Sequence, residues 1–75
     1  MQKKDNKIIV DCDRDDIPMF VISGKDICAI PTLVEYLTQC ALDGCSDEHK
    51  LAVKARLDEF REWQMNHPDR VHIPD

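Results

Sequence analysis

Residues 30–66, IPTLVEYLTQCALDGCSDEHKLAVKARLDEFREWQMN, decide the fold of this chain. Apolar residues recur within the stretch every three or four positions, which is typical of amphipathic helices. Gly44 suits the left-handed residue that ends a helix, and Ser46 suits the N-cap of the next helix. The sequence therefore predicts helices over about 31–43 and 47–65. The short link between them predicts an antiparallel hairpin.

The residues before this hairpin look extended. Residues 7–10 (KIIV) and 19–22 (MFVI) are rich in β-branched and apolar residues, which favour strands. We therefore predict an α-rich α+β fold, in which one or two short N-terminal strands pack on the helical hairpin. Residues 1–6 and 74–75 are expected to be loose, and the alternation in 71–73 predicts an extended segment lying on the body.

The core is predicted from the apolar faces of these elements. It consists of Phe20, Ile22, Ile30, Leu33, Val34, Leu37, Ala41, Val53, Leu57, Phe60 and Trp63.

Length and charge restrict the classes of function. A chain of 75 residues forms one domain, 1–75, with little apolar surface left for a deep cavity. The net charge of −5 disfavours nucleic acid, because phosphate binding needs clustered Lys and Arg. No apolar run approaches the roughly 20 residues of a membrane span. The sequence thus predicts a cytoplasmic protein that binds neither nucleic acid nor membrane, with its four cysteines reduced.

Two kinds of cysteine chemistry are open. Cys40-x4-Cys45-x3-His49, together with Cys28, offers the four ligands that zinc needs, although no close C-x2-C pair is present. Cys45 and His49 also resemble a thiol nucleophile with its base, but neighbouring acidic residues oppose the thiolate. The sequence contains neither a set of catalytic residues nor a cofactor motif, so the main expectation is a protein without catalytic activity or cofactor. A zinc-binding module is the alternative, and a thiol enzyme is a weaker alternative.

The acidic run of residues 11–16 (DCDRDD) resembles the start of a calcium-binding loop. Such a loop needs Gly at its sixth position and Glu at its twelfth, and here those positions hold Asp16 and Ile22. The run is therefore predicted to be a solvated acidic loop.

Three residues of the second helix are candidates for an interaction surface. Leu51 and Met65 lie off the apolar stripe, and Arg56 lies within it, where its methylenes can cover the core. A protein partner or self-association through the exposed side of this helix would add stability to a small core. The leading functional hypothesis is a non-catalytic interaction protein.

The chain also carries a resemblance. Residues 18–26 (PMFVISGKD), the helical hairpin, Trp63-Gln64 and the closing VHIPD of residues 71–75 are similar to small bacterial and phage-associated proteins of unknown function. Those proteins share a P-x-F-x-L-x-A-x-D-like segment and an I-P-D-like tail, from which Ile22 and Gly24 depart. The resemblance implies an accessory protein of a phage or prophage genome, and it supplies no catalytic residue.

Overall fold

Three helices and a short 3₁₀ turn are the regular elements of the part of the chain that the structure describes. The computed structural model describes residues 3–75, with side chains from residue 6 onward. The helices are α1 (Lys3–Arg14), α2 (Ala29–Leu42) and α3 (Asp47–Asn66), and the 3₁₀ turn covers Pro68–Arg70. Because residues 3–75 contain no β-strand, the fold is all-α, and the predicted α+β class with N-terminal strands is wrong.

The segment predicted as the first strand is part of α1. Lys7 donates to Asp11 at 3.0 Å, and Arg14 lies 3.3 Å from Asp11, so ion pairs at helical spacing follow one side of it. Beyond the end of the helix at Arg14, Asp16 has a left-handed φ of 54°, and the Ile17 N–H donates to the Cys12 carbonyl at 2.9 Å. The acidic run 11–16 therefore forms the end of a helix and its cap, and is not the predicted loop. The residues expected to be loose include Met1 and Gln2, which lie outside the described residues, whereas α1 begins at Lys3.

The hairpin of α2 and α3 matches the predicted helices to within two residues at each end, and the two helices pack against each other. Asp26 Oδ1 accepts from the Cys28 N–H at 2.7 Å in the turn that leads into α2, whose N-cap residue is Cys28. Gly44 has a φ of +74°, as its predicted role at the helix end requires. Ser46 Oγ accepts from the His49 N–H at 3.1 Å, which confirms the predicted N-cap of α3.

A clasp of polar contacts joins the end of α3 to residues 24–27. The Gln64 side-chain amide donates to the carbonyls of Gly24 and Asp26 at 3.0 and 3.1 Å. Gly24 lies against Trp63 so closely that an added Cβ would meet the indole at 3.3 Å. The Ile27 N–H donates to the His72 carbonyl at 3.1 Å, which confirms that the tail lies extended on the body.

The core is smaller than the sequence predicted. Ala29, Cys40 and Leu57 are buried, and most other predicted core residues, including Phe60 and Trp63, are half-buried. Phe20 is 85% exposed, and Val34 and Ala41 are exposed as well, so these three core predictions are wrong. Phe20 is exposed because α1 replaces the expected strand, which leaves residues 19–22 without a sheet partner. Within residues 3–75, no helix combines the length and the apolar character needed to cross a bilayer.

Candidate metal centre

The turn between α2 and α3 folds Cys45 back onto Cys40. The left-handed Gly44 reverses the chain, and the Cys45 N–H then donates to the Cys40 carbonyl at 2.9 Å. This six-to-one bond is the closing contact of a Schellman motif, which satisfies carbonyls at the end of a helix. The two cysteines, five residues apart in sequence, are thereby held next to each other by the backbone.

The first turn of α3 adds a histidine to this pair. Because Ser46 caps the helix through the His49 N–H, His49 lies in the first turn, beside the end of α2. The ligand atoms of Cys40, Cys45 and His49 all lie within 4.8 Å of one another. Cys40 is buried, and the other two residues are half-buried. Two sulfurs and one imidazole nitrogen therefore converge at the corner of the hairpin.

This spacing is close to that of a zinc site. Zinc binds thiolate sulfur at about 2.3 Å in tetrahedral geometry, which places two such sulfurs about 3.8 Å apart. The three ligand atoms lie within 4.8 Å of one another, so a side-chain rotation that moves the sulfurs by at most about an ångström brings them to this distance. Thiolate and imidazole are also ligand types that bind zinc, whereas magnesium and calcium prefer oxygen ligands. The cluster thus supplies three ligands and leaves a fourth position for another group.

Tyr36 orients the histidine. Its hydroxyl lies 3.1 Å from His49 Nε2, and the two rings meet edge to face at 6.1 Å. In the tautomer with hydrogen on Nε2, this nitrogen donates to the hydroxyl and Nδ1 keeps a lone pair for a metal. Such outer-sphere partners fix the tautomer and ring angle of histidine ligands.

The local electrostatics favour the protonated forms of Cys45 and Tyr36. The pKa of the Cys45 thiol is raised, mainly by its hydrogen bond with the Cys40 thiol and then by desolvation and the charge of Asp43. The charge of Lys50 has a smaller, opposing effect. Loss of hydration, followed by the neighbouring thiols, raises the pKa of the Tyr36 hydroxyl. A raised thiol pKa works against Cys45 as a nucleophile, because the thiolate is the reactive form. A bound cation would instead stabilise the thiolates.

The structure brings together three members of the predicted zinc set and separates the fourth. Cys28 is exposed at the start of α2, and 12 residues of helix correspond to about 18 Å between it and Cys40. Tyr36 was missed, although it lies four residues before Cys40 and so on the same helical face. Among the described side chains, the carboxylates of the run 11–16 do not form a three-ligand cluster.

The predicted interaction residues lie on different parts of the surface. Leu51 and Met65 are 70% and 74% exposed, but the exposed carboxylates of Asp58 and Glu62 lie between them on α3. Arg56 is half-buried and donates to Glu59 at 3.1 Å, as well as lining a groove with Phe60. No continuous apolar patch therefore joins Leu51 to Met65.

Comparisons with family models, curated proteins and solved structures give no match for this chain. The resemblance to small phage-associated proteins stays a prediction. The segments on which it rests meet in the clasp, where Gln64 binds the carbonyl of Gly24 and His72 pairs with Asp26. These contacts join the end of α3 to residues 24–27.

Proposed function

We propose that the protein is a small non-catalytic interaction domain that binds one zinc ion through Cys40, Cys45 and His49. The observation that carries the metal site is the convergence of the three ligand atoms within 4.8 Å at the corner of the α2–α3 hairpin. The metal joins the end of one helix to the start of the next. Its role is structural, because the ion ties together two helices that share a small core.

The fourth ligand is assigned to water or to the Tyr36 hydroxyl. The hydroxyl lies 3.1 Å from His49 Nε2, so a metal bound to Nδ1 would lie on the opposite side of the imidazole ring, and this geometry favours water. Three protein ligands and a water are more typical of catalytic zinc sites than of structural ones, so the structural role proposed here rests on the position of the ion between the ends of two helices and not on its ligand count. The raised pKa of Tyr36 favours the water, because a hydroxyl that keeps its proton is a weak ligand. Tyr36 then acts as the hydrogen-bond partner that positions His49.

Cobalt(II) tests this proposal, because it substitutes for zinc and reports its ligands by absorption. Reduced wild-type protein should bind one equivalent and show both thiolate charge-transfer absorption and the visible bands of a tetrahedral ion. Cys45→Ser and His49→Gln should lose most of the affinity. Cys28→Ser is the matched control, since it also removes one thiol but lies outside the cluster. Equal loss in the control, or no thiolate absorption in the wild type, would refute the site.

Tyr36→Phe separates the two assignments of the fourth position. A positioning partner of a histidine ligand contributes about 10–100-fold in metal affinity, and its removal leaves the ligand set unchanged. We therefore expect weaker cobalt binding with the same visible band shape. A changed band shape would show instead that the hydroxyl is itself a ligand.

A further inference from the structure

An apolar groove lies between α1 and the hairpin, and none of the residues that line it belongs to the cysteine cluster. It has a volume of about 410 Å³ and is open to solvent. Ile8, Met19, Phe20 and Val21 line it from the N-terminal side and are all exposed, with Phe20 at 85%. Leu33 and Phe60 line it from the hairpin. This N-terminal groove therefore presents large apolar side chains that the single chain leaves uncovered.

The total surface of the chain is larger than a compact monomer needs. The accessible area is 6066 Å². A folded monomer of this mass is expected to expose about 4,700 Å², so the excess is about 1,300 Å². The Cα radius of gyration is 13.6 Å, against about 11 Å for a compact domain of this length. A standard protein interface covers about 800 Å² on each partner, which the excess can supply.

The charge along α1 indicates which partner fits. The sequence is basic at the start of this helix and acidic at its end. Residues 3–7 carry Lys3, Lys4 and Lys7 against Asp5, and residues 11–16 carry Asp11, Asp13, Asp15 and Asp16 against Arg14, which leaves net charges of +2 and −3. Two copies of α1 lying antiparallel place each basic start beside the other's acidic end, with opposed helix dipoles. A two-fold axis generates this arrangement from identical chains.

We propose that the N-terminal groove is the interface of a homodimer, in which two copies of α1 lie antiparallel and Phe20 of each copy is covered by the other. The partner is thus a second copy of this chain. The inference rests on the interaction role proposed above and is independent of zinc, because none of the residues that line the groove belongs to the cysteine cluster.

Sedimentation equilibrium of the full chain tests the proposal. The wild type should sediment with twice the chain mass and dissociate on dilution. Phe20→Asp should raise the dimer dissociation constant about a hundredfold, because the interface contains two copies of the residue and each hot-spot side chain is worth about tenfold. Leu51→Asp is the matched control: it places the same charge at an exposed apolar position of α3, away from the groove, and should dimerise as the wild type does. Circular dichroism checks that both variants keep their helices.

Each outcome decides the proposal. A monomeric wild type at millimolar chain concentration overturns it and leaves the groove to a different protein. A Phe20→Asp variant that dimerises like the wild type, or a Leu51→Asp variant that dissociates equally, also overturns it. Repeating the measurement with chelator and with Cys45→Ser excludes dimers bridged by metal. Cobalt binding by a monomeric chain would show that the dimer has failed while the metal site stands.

Discussion

Leu57→Ala should remove a large part of the stability of this protein. Leu57 is 2% exposed and is the one large aliphatic residue that is buried within the described chain. Truncating a buried leucine to alanine costs about 2–5 kcal/mol, through lost burial and the cavity that remains. A chain of 75 residues has a total free energy of unfolding of about 4–11 kcal/mol. The substitution therefore removes at least about a fifth of that free energy, and about half of it at the middle of both ranges.

Urea unfolding followed by circular dichroism measures this loss. With a slope of about 1 kcal/mol per molar urea for a small protein, the midpoint should fall by about 2 M or more. Leu51→Ala is the control, since Leu51 lies on the same helix and is 70% exposed; its effect should stay within about 0.5 kcal/mol. Both proteins are compared at one chain concentration, so that dimerisation affects them alike. Equal midpoints for the two variants would refute the packing described for α2 and α3.

Three further outcomes follow from the turn between α2 and α3. Gly44→Ala should destabilise the fold by about 1–2 kcal/mol, because φ is +74° there, although space around the glycine is open; an unchanged thermal midpoint would contradict this reason. Ser46→Ala should cost about 0.5–2 kcal/mol by removing the acceptor for the His49 N–H, and restoration by Ser46→Asp in the same melts would identify capping as the cause. Cobalt affinity should rise with pH, because the pKa of Cys45 is raised and binding displaces its proton. The gain is about tenfold per pH unit for each proton displaced, up to that raised pKa, and a flat profile in direct titrations would exclude thiolate ligation.

The hairpin was predictable because its signals are long and mutually consistent. Two amphipathic helices, Gly44 and Ser46 all indicate the same turn, and the structure has each of them in the expected role. Helix α1 was not predictable, because the three consecutive β-branched residues at 8–10 suit a strand. A run that short also shows no clear helical or strand periodicity of its apolar residues. The signal in favour of a helix was the Lys7, Asp11 and Arg14 spacing, which carries exposed ion pairs of small individual energy.

The part of the candidate site that the α2–α3 turn holds together was predictable from the sequence. Cys40, Cys45 and His49 flank Gly44 and Ser46, and the backbone contacts of the turn bring them together. The exclusion of Cys28 depends on where α2 begins, which is two residues earlier than predicted. The exposure of Phe20 could not follow from its own sequence neighbourhood, because it depends on α1 being a helix that provides no sheet edge.

X-ray absorption at the zinc edge tests the metal site most directly, since it counts the atoms around the ion. Protein loaded with one equivalent of zinc should show two sulfur neighbours at about 2.3 Å and lighter neighbours at about 2.0–2.1 Å, one of them an imidazole nitrogen. Cys45→Ser should lose one sulfur, whereas Cys28→Ser should keep both. A first shell of oxygen and nitrogen alone, in protein confirmed to be reduced, would contradict a metal centre at the α2–α3 turn.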